Sequence, residues 1–353
     1  MSNILDDQAA LAALDSLGGL RALWGLPEQC ADAFRLPDGV TIPEAGALSN
    51  VVVSGLGGSA IGGDLLRVWA ADRMAVPVTV NRDYRLPAFV GEDSLVFCVS
   101  YSGNTEETLA AYADAREKGA RTVVLTSGGR LKEMAAGDGV SVITVPAGIS
   151  PRSATGYLFL PMLKVLYRLG LVADPDREMR ELVAHLAGVR EEIGPAVPGD
   201  GNPAKQLARR LFGKLPVIWG VSGTTEVVAM RFKGQINENA KAPAYWSVLP
   251  ELNHNEINGI EGPDNVLKLL SVVFLRDPGD HPRVGLRVDI TRRIIAGKVD
   301  VTELTARGIG RLARTYDLVY RGDYTSVYLA ALYGVDPGPV PVIERLKKEL
   351  AGL

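Results

Sequence analysis

The chain is predicted to be an α/β protein of two doubly wound parallel-sheet subdomains with flanking helices, and three observations carry the prediction. From residue 51 onward, short β-branched runs alternate with Ala- and Leu-rich segments of helical period. Continuous apolar strands separated by helices belong in a parallel sheet covered on both faces. The pattern of a strand feeding a small-residue turn and then a helix occurs twice, at Val51–Ser59 and at Val217–Thr225. Finally, 353 residues, at about 150 per domain, suggest two domains.

Taken in order, residues 3–24 carry apolar side chains at helical spacing and read as one leading helix. Val51–Val53, Val78–Val80, Leu95–Val99, Thr122–Leu125 and Val142–Val145 read as strands of the first unit. Helical segments at 156–171 and 177–193 lead to the Pro- and Gly-rich stretch Pro195–Pro203, the expected domain boundary. Beyond it, Val217–Gly220, Leu269–Phe274 and Gly285–Ile290 read as β-like, and Val342–Leu350 as a charged helix. The expected organisation is a helical segment 1–45, a first sheet domain 46–155, a helical linker 156–200, and a second sheet domain 201–353 ending in a helix.

Composition narrows the function classes. Hydrophobic residues make up 47% and charged residues 22%, enough apolar content for a large core. A net charge of −3 speaks against a nucleic-acid partner. Tyr157–Val172, the longest apolar stretch, is interrupted by Lys164 and Arg168 and is too short to span a bilayer, so no membrane association is expected. The two cysteines, Cys30 and Cys98, form no metal or disulfide framework. The acidic start MSNILDDQ is unlike a secretory leader, which makes a reducing cytoplasm the expected address.

Four places carry candidate chemistry. Ser54-Gly-Leu-Gly-Gly-Ser59-Ala-Ile-Gly-Gly-Asp64 follows the first strand, where a glycine-rich turn brings backbone amides and a helix N-terminus close to an anion. A tight turn that merely packs helix on sheet explains the glycines equally well. The same loop fits a loose dinucleotide pattern, with Asp83 as the acidic residue a nicotinamide cofactor would need. Next, Ser100-Tyr-Ser102-Gly103-Asn104-Thr105-Glu-Glu-Thr108 ends the third strand with three hydroxyls at a helix start. Capping by Asn104 or Thr105 explains one of them and leaves the others idle. Pro151-Arg152 follows the fifth strand and places a cation at the same sheet edge. Last, Gln235–Pro243 and Glu251–Glu256 are dense in amides and carboxylates and hold Glu238 and His254. Taken alone, these last two read as a solvated helix residue and a loop residue. No H-E-x-x-H or cysteine pair supports a metal.

These motifs, GLGGSAIGGD, SYSGNTEET, PR, NENAKAP and ELNHNEI, resemble those of the bifunctional phosphoglucose/phosphomannose isomerases of the sugar isomerase (SIS) superfamily, from about residue 45 to the C-terminus. The resemblance implies that Gly58, Ser59, Ser100, Ser102 and Thr105 bind the phosphate of a hexose 6-phosphate. It implies Glu238 as catalytic base, Arg152 as the cation on an enediolate, and Lys347 as an aid to ring opening beside the adjacent Lys348. His254 would be the ring-opening histidine, donated across the interface of a homodimer. The reaction it implies, interconversion of glucose and mannose 6-phosphate with fructose 6-phosphate, needs no metal or redox cofactor. Gly338 is smaller than the residue expected where the two C2 epimers are told apart.

Other readings compete. SIS domains also serve as sugar-phosphate sensors, but no DNA-binding segment is evident. A glutamine-dependent aminosugar synthase would need a cysteine where Ser2 stands. A dehydrogenase would leave the hydroxyl cluster without a role.

Overall fold

The computed structural model describes residues 4–44 and 46–352. Asn3, at the start of the expected leading helix, and the outer ends of the expected domains lie outside these. In chain order the elements begin with helices α1 (Gln8–Leu14), α2 (Gly19–Trp24) and α3 (Leu26–Ala33). Then come β1 (Asn50–Ser54), α4 (Gly58–Ala70), β2 (Val78–Asn81), β3 (Ser94–Val99), α5 (Glu106–Glu117), β4 (Arg121–Thr126), α6 (Gly129–Gly137) and β5 (Ser141–Thr144). After α7 (Thr155–Arg168), α8 (Asp176–Ile193) and α9 (Pro203–Leu211) the second sheet starts with β6 (Leu215–Val221), α10 (Glu226–Asn239) and β7 (Tyr245–Leu249). It continues through α11 (Asp264–Leu267), β8 (Leu270–Arg276), α12 (Pro282–Ile295) and β9 (Asp300–Thr305), and α13 (Gly310–Tyr333) and α14 (Pro341–Ala351) close the chain.

Two compact units result. The first is built from Gly25–Ala187 and Arg307–Tyr316. Its five-stranded sheet runs β2-β1-β3-β4-β5, parallel throughout. Every residue of β1 and β3 is buried, as expected of strands with helices on both faces. The order reverses between β1 and β3, so their carboxyl ends form the switch point at which open α/β sheets bind ligands.

The second unit comprises the chain up to Trp24, Gly188–Ala306 and the chain from Asp317 on. Its sheet runs β7-β6-β8-β9, also parallel, and repeats the first four strands of the other in the same order. The Pro195–Pro203 stretch lies within this unit, where the fully buried Lys205 donates to the Pro195 and Val197 carbonyls at 2.9 and 2.7 Å.

Three sequence expectations are corrected. The leading segment is a short 3-10 turn and two helices, because Asp15 turns its carboxylate onto the Gly19 and Leu20 amides and Gly18 takes φ +67°. Gly285–Ile290 is helical: His281 caps its start, Pro282 follows, and Val288, Thr291 and Ile295 are the buried face. The alternating Leu286, Val288 and Ile290 imitated a strand because Leu286 and Ile290 point outward. Strands β7 and β9 were not anticipated. Among the described residues no helix is long and apolar enough to cross a membrane, and no cluster of three His, Cys, Asp or Glu side chains suits a metal.

Candidate functional site

The site is assembled from three loops at the β1/β3 switch point. β1 ends on Ser54 and the chain turns through Gly55–Gly57 into α4. A Cβ on Gly55 would sit 2.7 Å from the Val99 carbonyl oxygen at the end of β3, so only glycine lets the two strand ends close up. Gly57 occupies the N-cap of α4 at φ +53° and offers no side-chain cap, and of the first-turn amides that of Ser59 donates to the Leu56 carbonyl at 3.1 Å. Ser59 lies buried in the first turn, and its hydroxyl accepts from the Tyr101 amide at 3.3 Å. That bond ties the first loop to the second.

In the second loop the Ser100 and Thr105 hydroxyls stand 2.9 Å apart. Thr105 is the N-cap of α5 by position, yet its side chain makes no capping bond. The capping explanation therefore fails for Thr105, and α5 also begins with uncapped amides. Ser102 is exposed and accepts from the Asn104 amide at 3.3 Å. Gly103 takes φ +69°, and a methyl there would overlap the Gly128 carbonyl, so this loop is seated on the β4–α6 turn.

Arg152 lies in the third loop, a 3-10 turn over Pro151–Ser153, and is buried. Gly58 makes room for it: a Cβ there would come 2.9 Å from the Pro151 oxygen and 3.4 Å from the Arg152 Cα. Tyr101 joins this turn's approach to the hydroxyl loop, donating to the Pro146 carbonyl at 2.9 Å and accepting from the Ile149 amide at 3.2 Å. Burial raises the Tyr101 hydroxyl above its ordinary range, which keeps it a neutral donor. The loops that carry Gly58, Ser59, Ser100, Ser102, Thr105 and Arg152 are thus brought together beside the starts of α4 and α5, neither of which has a side-chain cap. Asp83, the acidic residue of the nicotinamide alternative, instead accepts from the adjacent Tyr84 amide at 2.6 Å.

The remaining candidates belong to the second unit. Glu238 lies half-buried on the last turn of α10, where a carboxylate meets the negative end of the helix. Its neighbours fix it in place. The Asn237 amide donates to the Ala242 carbonyl at 2.9 Å, the Asn239 amide donates to the Ser326 hydroxyl at 2.8 Å, and Lys241 reverses the chain at φ +54°. Below them Arg231 binds Asp323 through two buried bonds of 3.1 and 2.6 Å. The ELNHNE turn is held similarly. Asn253 donates to the Thr291 hydroxyl on α12 at 2.9 Å, and Glu256 accepts from the Trp219 indole of β6 at 2.9 Å. His254, between these anchors, is exposed. Lys347 and Lys348 both lie on α14, exposed along residues 341–350. The place a side chain at Gly338 would take is filled by Leu17, whose Cγ would lie 2.7 Å from its Cβ.

The matching loop of the second sheet is closed to anions. Thr225 donates to the Leu275 carbonyl at 3.0 Å, and Thr224 donates at 2.6 Å to Asp280, whose other oxygen accepts the Asp277 amide at 3.0 Å. A carboxylate of the chain itself, raised above its usual range by burial, occupies that loop.

Two parallel sheets of like order, the first bearing a hydroxyl-lined cradle, define an α/β protein of the SIS class. Residues 200–350 match the model of the bacterial phospho-glucose isomerase C-terminal SIS domain. Over 97% of the chain the fold matches a hypothetical protein from Thermus thermophilus, covering 92% of it at TM-score 0.75 and 17% identity. The chain belongs to the bifunctional phosphoglucose/phosphomannose isomerase family. It is 50% identical to the member from Caldicellulosiruptor bescii over 94% of this chain and 98% of that one. It is 41% identical to the member from Aquifex aeolicus over 85% and 90%.

Proposed function

We propose that the protein interconverts glucose 6-phosphate, and mannose 6-phosphate, with fructose 6-phosphate in the cytoplasm. The observation that carries the proposal is the membership of nearly the whole chain in this isomerase family. In this reading Gly58, Ser59, Ser100, Ser102 and Thr105 grip the phosphate, which holds a flexible sugar in register. Each hydroxyl bond to that dianion contributes about 1.5–3 kcal/mol. Glu238 removes the C2 proton of the open-chain aldose and returns it to C1, through a cis-enediolate. A positioned base of this kind supplies about 10²–10⁴-fold. Arg152 stabilises the enediolate oxygen, worth a comparable factor. His254 and Lys347 open the sugar ring.

The expected test is a coupled assay of fructose 6-phosphate conversion to glucose 6-phosphate. Wild type turns over with no added metal or nicotinamide, and Glu238→Gln loses about 10²-fold or more in kcat. Full turnover in the variant removes Glu238 from the mechanism, and an inert wild type favours a sensor.

His254 is assigned to a second copy of the chain, in a homodimer. Its exposure supports this, as does α12, which anchors the histidine's turn and turns Leu286, Ile290 and Ile294 outward at 43, 39 and 48% exposure. These aliphatics recur every fourth residue, the stripe a helix presents to a partner. Mixing Glu238→Gln with His254→Ala, each impaired alone, should raise activity above that of either variant, because one site of the mixed dimer then receives both native groups. Absence of restoration on subunit exchange places histidine and base in one chain.

A further inference from the structure

The Arg152 turn ends where a helix begins without a cap of its own. Ala154 is the N-cap of α7, and an alanine offers no side-chain acceptor to the first amides. The missing cap comes from elsewhere in the chain. Gln29, on α3, donates its amide to the Ser153 carbonyl at 3.0 Å and accepts from the Gly156 amide at 2.8 Å. It is buried, at 7% exposure, and both polar atoms of its side chain are thereby satisfied. Gly156 is required for this approach: a Cβ there would fall 2.9 Å from the Gln29 oxygen and 3.3 Å from the Cys30 sulfur. On the other side Gly58 brings α4 against the backbone of Pro151 and Arg152.

The turn that carries Arg152 therefore has the first residue of α4 against its Pro151–Arg152 backbone and the carboxamide of Gln29 on Ser153 and Gly156 just beyond. A primary amide suits this task because it copies a peptide group, one donor and one acceptor in a plane. An aliphatic side chain of equal length would leave a buried carbonyl and a buried amide unpaired. Apart from the Thr155 hydroxyl, which is buried without a hydrogen-bond partner, the other polar side chains around the turn are engaged elsewhere. Ser150 and Ser153 share a hydroxyl bond of 2.9 Å, Tyr157 donates to Asp32 at 3.0 Å, and Tyr316 donates to the Thr155 carbonyl at 3.2 Å.

We infer that Gln29 is a positioning residue for the isomerase reaction, setting the place of the Arg152 guanidinium by clasping the turn that carries it. This rests on the role given to Arg152 above. A displacement of about 1 Å in a catalytic group lowers rate steeply. Arg152 acts on the enediolate, so the loss falls on kcat and spares KM.

The test is a double-mutant cycle of Gln29→Met and Arg152→Ala, with kcat and KM for fructose 6-phosphate and the melting temperature measured for each. Gln29→Met should lower kcat at least tenfold with KM within twofold. In the Arg152→Ala background it should lower kcat by less than twofold further. An undiminished kcat in Gln29→Met, or an equal loss in both backgrounds, overturns the inference and leaves Arg152 in place. An undiminished kcat in Arg152→Ala overturns the assignment of Arg152 itself, and Gln29 with it. If Gln29→Met does not fold, Gln29→Glu keeps an acceptor for the Gly156 amide and is read by the same criteria.

Discussion

Ser100 and Thr105 share one proton across 2.9 Å, so the pair has a second hydroxyl proton to offer a third group. Ser100 also accepts from the Gly103 amide at 3.1 Å, which shapes the loop. The Ser100→Ala, Thr105→Ala double variant separates these roles. If both hydroxyls hold the phosphate in ground state and transition state alike, KM rises at least about tenfold while kcat changes less than about threefold. Melting temperature, measured in parallel, tracks the lost Gly103 bond. An unchanged KM removes the pair from the phosphate site. Gly103 shows the same economy, since its left-handed φ and its contact with the Gly128 carbonyl exclude any side chain from the loop's tightest point.

At the scale of elements, what the sequence disclosed depended on burial and on distance along the chain. β1 and β3 are buried throughout and read as unbroken apolar runs. β7 and β9 are sheet edges with half-exposed residues, and Asp300–Thr305 shows neither a run nor a clean alternation. α12 misled because its exposed Leu286 and Ile290 completed a two-residue period that its buried face does not follow. The hydroxyl loop was legible because its members lie within six residues, Ser100 to Thr105, of one strand end. The Gln29 clasp was not, because its two partners lie 124 and 127 residues away and nothing local marks a cap supplied from another helix. The acidic closure of the second sheet's loop was hidden for the same reason, with Thr224 and Asp280 separated by 56 residues.

At the scale of the whole molecule, the chain returns late to complete its first unit, and that return can be tested through pH. Arg311, in the segment Arg307–Tyr316, binds Asp72 through two bonds of 2.8 Å each. The same guanidinium donates to the Val68 and Trp69 carbonyls at 3.2 and 3.4 Å, capping the end of α4 opposite the Gly55–Gly57 turn. The hydrogen bond from Arg311 holds the Asp72 carboxyl below its usual range. A carboxyl whose folded pKa is depressed stabilises the fold above its unfolded pKa of about 3.9 and loses that contribution as pH falls through the folded value. Asp72 is 63% exposed, so the pair is screened and worth about 0.2–1 kcal/mol. Asp72→Asn should lower the unfolding free energy by that amount at pH 7, with the difference from wild type narrowing as the pH drops below about 4. Urea titrations of both proteins from pH 7 to pH 3 check this. A gap that stays constant across the range means the asparagine disturbs packing rather than charge, and Arg311 then holds the segment through the α4 carbonyls alone.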